Sequence, residues 1–167
     1  EAGFPIENHV SAFQYARKYG IPSTAHAGEA RGADSIWETL RHFEPARIGH
    51  GVRSIEDPEL INWLRDHNIH LEVCPTSNVQ TNVFDRFEDH SADYLYRSGI
   101  SLGINTDNRT ISNVTLEDEY RSMETVFGWG SQQLLKCNRE AIDHAFCPPE
   151  WKRGFGDQIS KAWGVEV

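Results

Sequence analysis

The sequence predicts an α/β domain built on a parallel β-sheet. Short apolar segments that end in polar residues alternate with longer segments whose apolar residues recur at helical spacing. This regular alternation is typical of parallel βαβ units. Because parallel strands are joined by right-handed crossovers, their carboxyl ends lie on one edge of the sheet, where such folds bind ligands.

Four strands and seven helices are predicted along the chain. The strands span 21–26, 46–50, 69–73 and 100–104. The helices span 6–19, 33–43, 58–67, 92–97 and 115–127, and two more begin at Ser131 and Pro149. Helix-end signals support these bounds: Gly20 is a stop, Asp57-Pro58 is an entry and Thr115-Leu-Glu-Asp118 is a capping box. Residues 105–113 are expected to form a polar loop.

Composition narrows the class of function. The 167 residues are 38% hydrophobic and 11% aromatic, which predicts a folded domain, and they carry a formal net charge of −9. No basic cluster is longer than Lys152-Arg153, which argues against nucleic acid and favours a neutral or cationic small molecule. No apolar run approaches the roughly 18 residues of a membrane span, and no basic, apolar leader opens the chain.

The three cysteines predict the compartment. Cys74, Cys137 and Cys147 are widely spaced, odd in number and form no Cys-x-x-Cys pair. This pattern argues against a disulfide framework and against a structural zinc knuckle. We therefore expect a reducing, cytoplasmic environment.

Polar residues follow each predicted strand. His26 and Glu29 follow the first, His50 ends the second, Ser77-Asn78 follows the third, and Asp107 follows the fourth. Taken singly, each has a structural explanation as a hydrogen-bonded histidine, a helix cap or a turn former. Placed together on one edge, imidazole and carboxylate groups are suited to Zn²⁺ and a bound water, with a further carboxylate as general acid or base.

The other histidines are expected at the surface, because they fall on helices or on exposed strand faces. They are His9, His42, His67, His70, His90 and His144.

Three motifs in this order resemble the adenosine deaminase family of metal-dependent amidohydrolases. They are His26-Ala-Gly-Glu29, Arg47-Ile-Gly-His-Gly51 and Asn105-Thr-Asp-Asn108, and the opening Glu1-Ala-Gly-Phe-Pro5 resembles the loop after the family's fifth strand. The family fold is a (β/α)₈ TIM-type barrel. The resemblance covers nearly the whole chain and implies that residues 1–167 are the C-terminal half of one barrel domain. That half would have about four parallel strands and extra C-terminal helices, and the N-terminal half would be absent from this chain.

The resemblance also implies a reaction and roles. Zinc-bound hydroxide would attack C6 of adenosine or 2′-deoxyadenosine, giving inosine and ammonia. His26 and Asp107 would ligate the one Zn²⁺ of a complete site, and Asp107 would also hold the water. Glu29 would bind the purine and protonate N1, and His50 would orient the water.

Two departures from the family pattern matter. Asn108 stands where the commoner motif has a second aspartate, and its amide can donate to purine N7 at any pH. The family's His-x-His, which supplies two more zinc ligands, does not occur in this sequence. The isolated chain is therefore expected to bind zinc weakly and to show little activity without the N-terminal half as its partner. Ser77 would support the site.

Alternatives remain at this point. The substrate is expected to be a purine nucleoside, but adenine or another aminopurine would suit a relative of the same superfamily. A non-catalytic barrel used for binding or signalling would keep the fold without the reaction. An open flavodoxin-like sheet is disfavoured because no glycine-rich phosphate loop follows a strand.

Overall fold

The structure is a computed structural model that describes residues 3–164, so Glu1 and Ala2 of the opening motif lie outside the described residues. Four strands form one parallel sheet in the order β1-β2-β3-β4. Their bounds are Thr24–Ala27 (β1), Arg47–His50 (β2), His70–Val73 (β3) and Leu102–Ile104 (β4). The predicted parallel α/β sheet is confirmed, although each strand begins slightly later than predicted. Four βα units are half the number in a TIM barrel.

Helices surround and follow the strands. They are α1 (Glu7–Lys18), α2 (Ala33–Phe43), α3 (Pro58–Asp66), α4 (Pro75–Gln80), α5 (Ala92–Arg97), α6 (Arg109–Ser112), α7 (Leu116–Phe127), α8 (Ser131–Asp143) and α9 (Pro149–Trp163). Short 3₁₀ turns span Val52–Glu56 and Phe87–Asp89. The sequence did not predict α4 or α6, which are too short to show an apolar period. The expected loop at 105–113 therefore contains a helix.

The predicted helix ends are confirmed in detail. The Asp57 carboxylate accepts from the backbone N–H groups of Glu59 and Leu60 and starts α3. Thr115 and Asp118 form the reciprocal capping box of α7. Such caps each stabilise a helix by about 1 kcal/mol, because they satisfy N–H groups that have no partner within the helix.

The two faces of the sheet differ in chemistry. Ile48, Leu71 and Leu102 are fully buried in one apolar cluster with residues of the helices, including Leu60 and Leu95. Burying each such side chain contributes roughly 1.5 to 3 kcal/mol. Residues of the alternate set lie on the opposite face and are largely polar; they include Thr24, His26, Arg47, His70 and Glu72. A polar face on a parallel sheet indicates a site rather than a second core.

The expected surface position is wrong for two histidines. His70 is buried, its Nδ1 lies 2.9 Å from Ser101 Oγ, and its ring stacks on His144. Burial lowers the pKa of His70 to about 3. His90 is also buried, and its Nε2 contacts the side chain of Asn78. His9, His42 and His67 are exposed as expected, and His144 is partly buried. Among residues 3–164, the helices are all too short or too polar to cross a membrane.

Candidate active site

Polar residues from β1, β2 and the loop after β4 converge at the carboxyl edge of the sheet. They share one cavity of about 280 Å³. Its lining residues are His26, Gly49, His50, Glu72, Cys74, Asn105, Thr106 and Asp107. The structure thus brings His26, His50 and Asp107, from the first, second and fourth strand ends, to one cavity.

His50 lies at the centre of this group. Its ring meets that of His26 edge-on, with 4.8 Å between centroids. Its Nε2 lies 3.4 Å from Glu29 Oε2 and 4.0 Å from Asp107 Oδ2. One candidate ligand atom each from His26, Glu29 and His50 falls within 4.8 Å of the others. Asp107 also approaches His50 Nε2, but it is not part of that compact trio.

Two of these residues adopt a backbone conformation that side chains disfavour. His50 has φ +62° and Asp107 has φ +54°, both in the left-handed region. Such a conformation costs on the order of 1 to 3 kcal/mol and persists where surrounding contacts enforce it, often at functional sites. Here it turns the side chains at the ends of β2 and β4 toward the shared cavity.

The residues present fit a metal ion, and Gly49 carries the structural argument. A Cβ at Gly49 would lie 2.4 Å from His26 Cδ2 and 3.0 Å from His26 Nε2. The imidazole therefore occupies space that only glycine leaves on the neighbouring strand. An imidazole in this place beside carboxylates is a donor set that suits Zn²⁺. Burial and nearby carboxylates raise the pKa of the Cys74 thiol to about 12, which favours its neutral form.

Helix α4 supports Asp107. Ser77, on α4, is buried, and its hydroxyl donates a 2.7 Å hydrogen bond to Asp107 Oδ2. A carboxylate that binds a metal is commonly oriented in this way by a second hydrogen bond.

The start of α4 is held in turn by Glu119 of α7. The Thr76 N–H lies 3.2 Å from Glu119 Oε1 and 3.3 Å from Oε2, and the Glu119 side chain is fully buried. Burial raises the pKa of Glu119 to about 7. Sequence reasoning missed this carboxylate, because it lies among exposed acids in the first turn of α7.

Asn78 and His90 also contact the site, although sequence reasoning assigned Asn78 no role at the strand-end edge and expected His90 at the surface. Asn78 Nδ2 lies 3.1 Å from His50 Nδ1, and Asn78 Oδ1 lies 3.2 Å from His90 Nε2. The Ala92 N–H donates to His90 Nδ1 at 3.0 Å. Asn78 was interpreted only as a turn or cap residue, although its position beside Ser77 was a usable signal. His90 follows a 3₁₀ turn, and no local pattern marks it.

Asn108 lies at the exposed rim. Its Oδ1 accepts from the N–H groups of Thr110 and Ile111, both at 3.1 Å, and so caps α6. Because the oxygen is used by the helix, the amide NH₂ is the end that can donate to a ligand.

A second cavity of about 240 Å³ adjoins His26 and Glu29 on the side of α1 and α2. Its apolar wall includes Phe4, Phe13 and Phe43. The Phe13 and Phe43 rings stack face to face with 3.8 Å between their centroids. This cavity therefore places an aromatic surface beside the two polar groups.

Comparisons with known proteins agree with this geometry. A family model described as adenosine deaminase matches residues 1–162. An adenosine deaminase of Shewanella denitrificans is 38% identical over 146 residues, which cover 87% of this chain and 44% of that protein. An adenine deaminase of Mesorhizobium japonicum is 39% identical over 141 residues, or 84% of this chain and 44% of that protein.

Solved structures give the same picture. The adenine deaminase of Arthrobacter aurescens superposes with a TM-score of 0.93 at 25% identity, covering 99% of this chain and 50% of that one. An Arabidopsis protein, ADAL, solved in complex with IMP, gives a TM-score of 0.86 at 26% identity, covering 98% and 47%. The chain spans about half the length of these relatives, and its fold is half of their barrel. On its motifs, its fold and these matches, the chain belongs to the adenosine deaminase family.

Proposed function

We propose that this chain supplies one half of the active site of an enzyme that hydrolyses the 6-amino group of adenosine and 2′-deoxyadenosine, giving inosine and ammonia. The observation that carries the proposal is the convergence of Glu29 and Asp107 on His50 Nε2, at 3.4 Å and 4.0 Å. A carboxylic acid, an imidazole donor and a metal-binding carboxylate around one point are suited to adding water across a polarised C=N bond. Family membership gives the reaction class.

His26 and Asp107 would hold a zinc ion in this scheme, with the remaining ligands coming from outside this chain. Bound zinc would supply Lewis acidity and bring the pKa of a water molecule toward neutrality. Ser77 keeps one Asp107 oxygen oriented through its 2.7 Å hydrogen bond. Gly49 leaves the space in which the His26 ring lies.

The open edges of the sheet support a partner half. In the described part of the chain, β1 pairs with β2 alone and β4 with β3 alone. Unpaired parallel edges expose backbone N–H and C=O groups, which a further set of strands would satisfy. We therefore place residues 1–167 as the C-terminal half of a single barrel domain, completed by an N-terminal half that brings the missing ligands.

The protein's own groups have three tasks in the reaction. Glu29 in its protonated form would donate to purine N1, which makes C6 more electrophilic. His50 would donate a hydrogen bond from Nε2 to the attacking water. The free NH₂ of Asn108 would donate to N7, and the phenylalanine-lined cavity beside Glu29 offers a surface for a flat heteroaromatic ring.

An ammonia-release assay on the complete barrel protein tests this function. Activity on adenosine is expected, with loss on chelation and recovery on adding zinc. Glu29→Gln keeps the shape and removes the proton donor, so kcat is expected to fall by about 10² to 10⁴ while metal content is unchanged. Glu59→Gln, at the exposed start of α3, is the matched control and is expected to behave like the parent. Full activity of Glu29→Gln, or zinc-independent activity, would refute the assignment.

A second candidate is the deamination of adenine or another aminopurine. It is favoured by the similarity to proteins named adenine deaminase, in sequence and in structure. Comparing kcat/KM for adenosine, adenine and adenosine monophosphate in the same protein separates the candidates. A complete protein that retained no metal and released no ammonia from any of them would instead support a non-catalytic barrel.

A further inference from the structure

We propose that Asn78 and His90 are positioning residues that hold neutral His50 in one tautomer, with its proton on Nε2. The inference rests on the proposed function for its catalytic meaning. The tautomer itself follows from hydrogen-bond directions that are independent of any substrate.

The chain of hydrogen bonds has a fixed direction because it starts at a backbone amide. The Ala92 N–H can only donate, so His90 Nδ1, 3.0 Å away, must accept. A neutral imidazole that accepts at Nδ1 carries its proton on Nε2. His90 Nε2–H therefore donates to Asn78 Oδ1 at 3.2 Å.

This contact fixes the orientation of the Asn78 amide. With Oδ1 directed at His90, the NH₂ group faces His50 and donates to His50 Nδ1 at 3.1 Å. His50 Nδ1 is thereby an acceptor, and the proton of the neutral ring lies on Nε2. Each group therefore donates to the next: Ala92 to His90, His90 to Asn78, and Asn78 to His50.

Burial makes this direction costly to reverse. Asn78 is fully buried, His90 is 4% exposed and His50 is 1% exposed. A flipped Asn78 amide would set donor against donor at His90, and an unmade hydrogen bond at a buried group costs about 1 to 3 kcal/mol. Burial and the neighbouring His50 lower the pKa of His90 to about 3, so His90 stays neutral at physiological pH.

The fixed tautomer separates His50 from the metal ligands. Nε2, the nitrogen that lies 3.4 Å from Glu29 and 4.0 Å from Asp107, carries a hydrogen and has no lone pair for a metal ion. Nδ1 is engaged by Asn78. Although distance alone places His50 in the compact trio with His26 and Glu29, the relay makes His50 a hydrogen-bond donor.

Substitution of Asn78 reverses the last bond of the relay. Asn78→Asp has nearly the same shape, but its carboxylate accepts from both histidines, so the neutral His50 ring is expected to carry its proton on Nδ1 and to leave Nε2 without one. We expect kcat to fall by about 100-fold or more with a smaller change in KM, since the lost hydrogen bond acts on the water rather than on substrate binding.

His90 offers a loss-and-rescue pair. His90→Leu removes the donor to Asn78 Oδ1 and lets the amide flip, so a mixture of His50 tautomers and an intermediate loss of kcat are expected. His90→Gln restores an N–H donor at the position of Nε2. It is expected to recover most of the parent kcat and most of the parent His50 tautomer. Phe84→Leu is the packing control, because the Phe84 ring contacts His90 at 4.6 Å between centroids and makes no bond in the relay.

The decisive readout is the ¹⁵N NMR signal pair of the His50 imidazole in the complete, histidine-labelled protein, read beside steady-state kinetics. In the parent we expect a protonated Nε2 and an unprotonated Nδ1. In Asn78→Asp we expect the reverse, and His90→Gln is expected to restore the parent pattern that His90→Leu loses. A protonated Nδ1 in the parent would overturn the proposal, even if Asn78→Asp failed to fold. So would an unchanged His50 signal in both Asn78→Asp and His90→Leu, or a loss in Phe84→Leu equal to that in His90→Leu. If the parent protein deaminated no aminopurine, the NMR result would still decide the tautomer.

Discussion

Gly49→Ala is expected to weaken metal binding with little effect on folding. The added Cβ would lie 2.4 Å from His26 Cδ2, whereas unstrained carbon contacts need about 3.5 Å. The imidazole must therefore move by about 1 Å. Metal–ligand distances lie within about 0.2 Å of their usual values, so a shift of this size is expected to remove His26 from the coordination shell.

The expected loss of zinc affinity is 10- to 100-fold or more, equivalent to about 1.4 to 2.7 kcal/mol. Stability should change little, because the His26 side chain is exposed and can rotate away, while alanine is favoured over glycine in a strand by roughly 0.5 to 1 kcal/mol. A competition titration with a chromophoric chelator measures the affinity in the complete protein, and calorimetry measures Tm.

Gly103→Ala is the matched control on β4. Its Cβ would lie 3.2 Å from His70 Nε2 and 3.4 Å from Ala141 Cβ, contacts that small shifts relieve. Zinc affinity in this variant is expected to equal that of the parent. If Gly49→Ala folded normally and bound zinc as tightly as Gly103→Ala, His26 would not be a ligand in the orientation described.

Three further changes test other parts of the site. Ser77→Ala removes the 2.7 Å hydrogen bond to Asp107, so zinc affinity, measured by titration, should fall about 10-fold or more. An unchanged zinc affinity would show that Asp107 does not need this hydrogen bond. Burial raises the pKa of Glu119 from 4.5 to about 7, so this side chain destabilises the fold progressively between about pH 4.5 and pH 7, and fully above pH 7. Glu119→Gln should therefore raise stability at pH 8 by up to about 3 kcal/mol and leave it unchanged at pH 4, and an equal effect at both would contradict burial as the cause. Asn108→Asp should make substrate affinity fall as pH rises, because only a protonated carboxyl can donate to N7; flat pH profiles in both forms would contradict that contact.

The sequence predicted the sheet and the strand-end residues because both depend on local signals. The spacing of apolar residues along the chain locates the strands. The parallel connection of those strands is enough to place His26, His50 and Asp107 on one edge of the sheet. Family motifs added the roles. The strand bounds were slightly early, since apolar residues such as Ile21 and Ile69 precede the first paired residues.

The supporting residues could not be predicted in the same way. His90 meets Asn78 from 12 residues along the chain, and Glu119 meets Thr76 from 43 residues away. A contact between segments so far apart depends on how helices pack over the sheet, which no short pattern encodes. For that reason His70 and His90 were expected at the surface, from their predicted places on helices or exposed strand faces, and Glu119 was not singled out.

The central claim is that His26 and Asp107 are ligands of one zinc ion and that His50 is not. A crystal structure of the complete protein, with anomalous data collected on both sides of the zinc absorption edge, tests it most directly. We expect one anomalous peak about 2.0 to 2.2 Å from a His26 ring nitrogen and an Asp107 oxygen, with His50 outside that distance. A peak ligated by His50, or one remote from His26 and Asp107, would contradict the account.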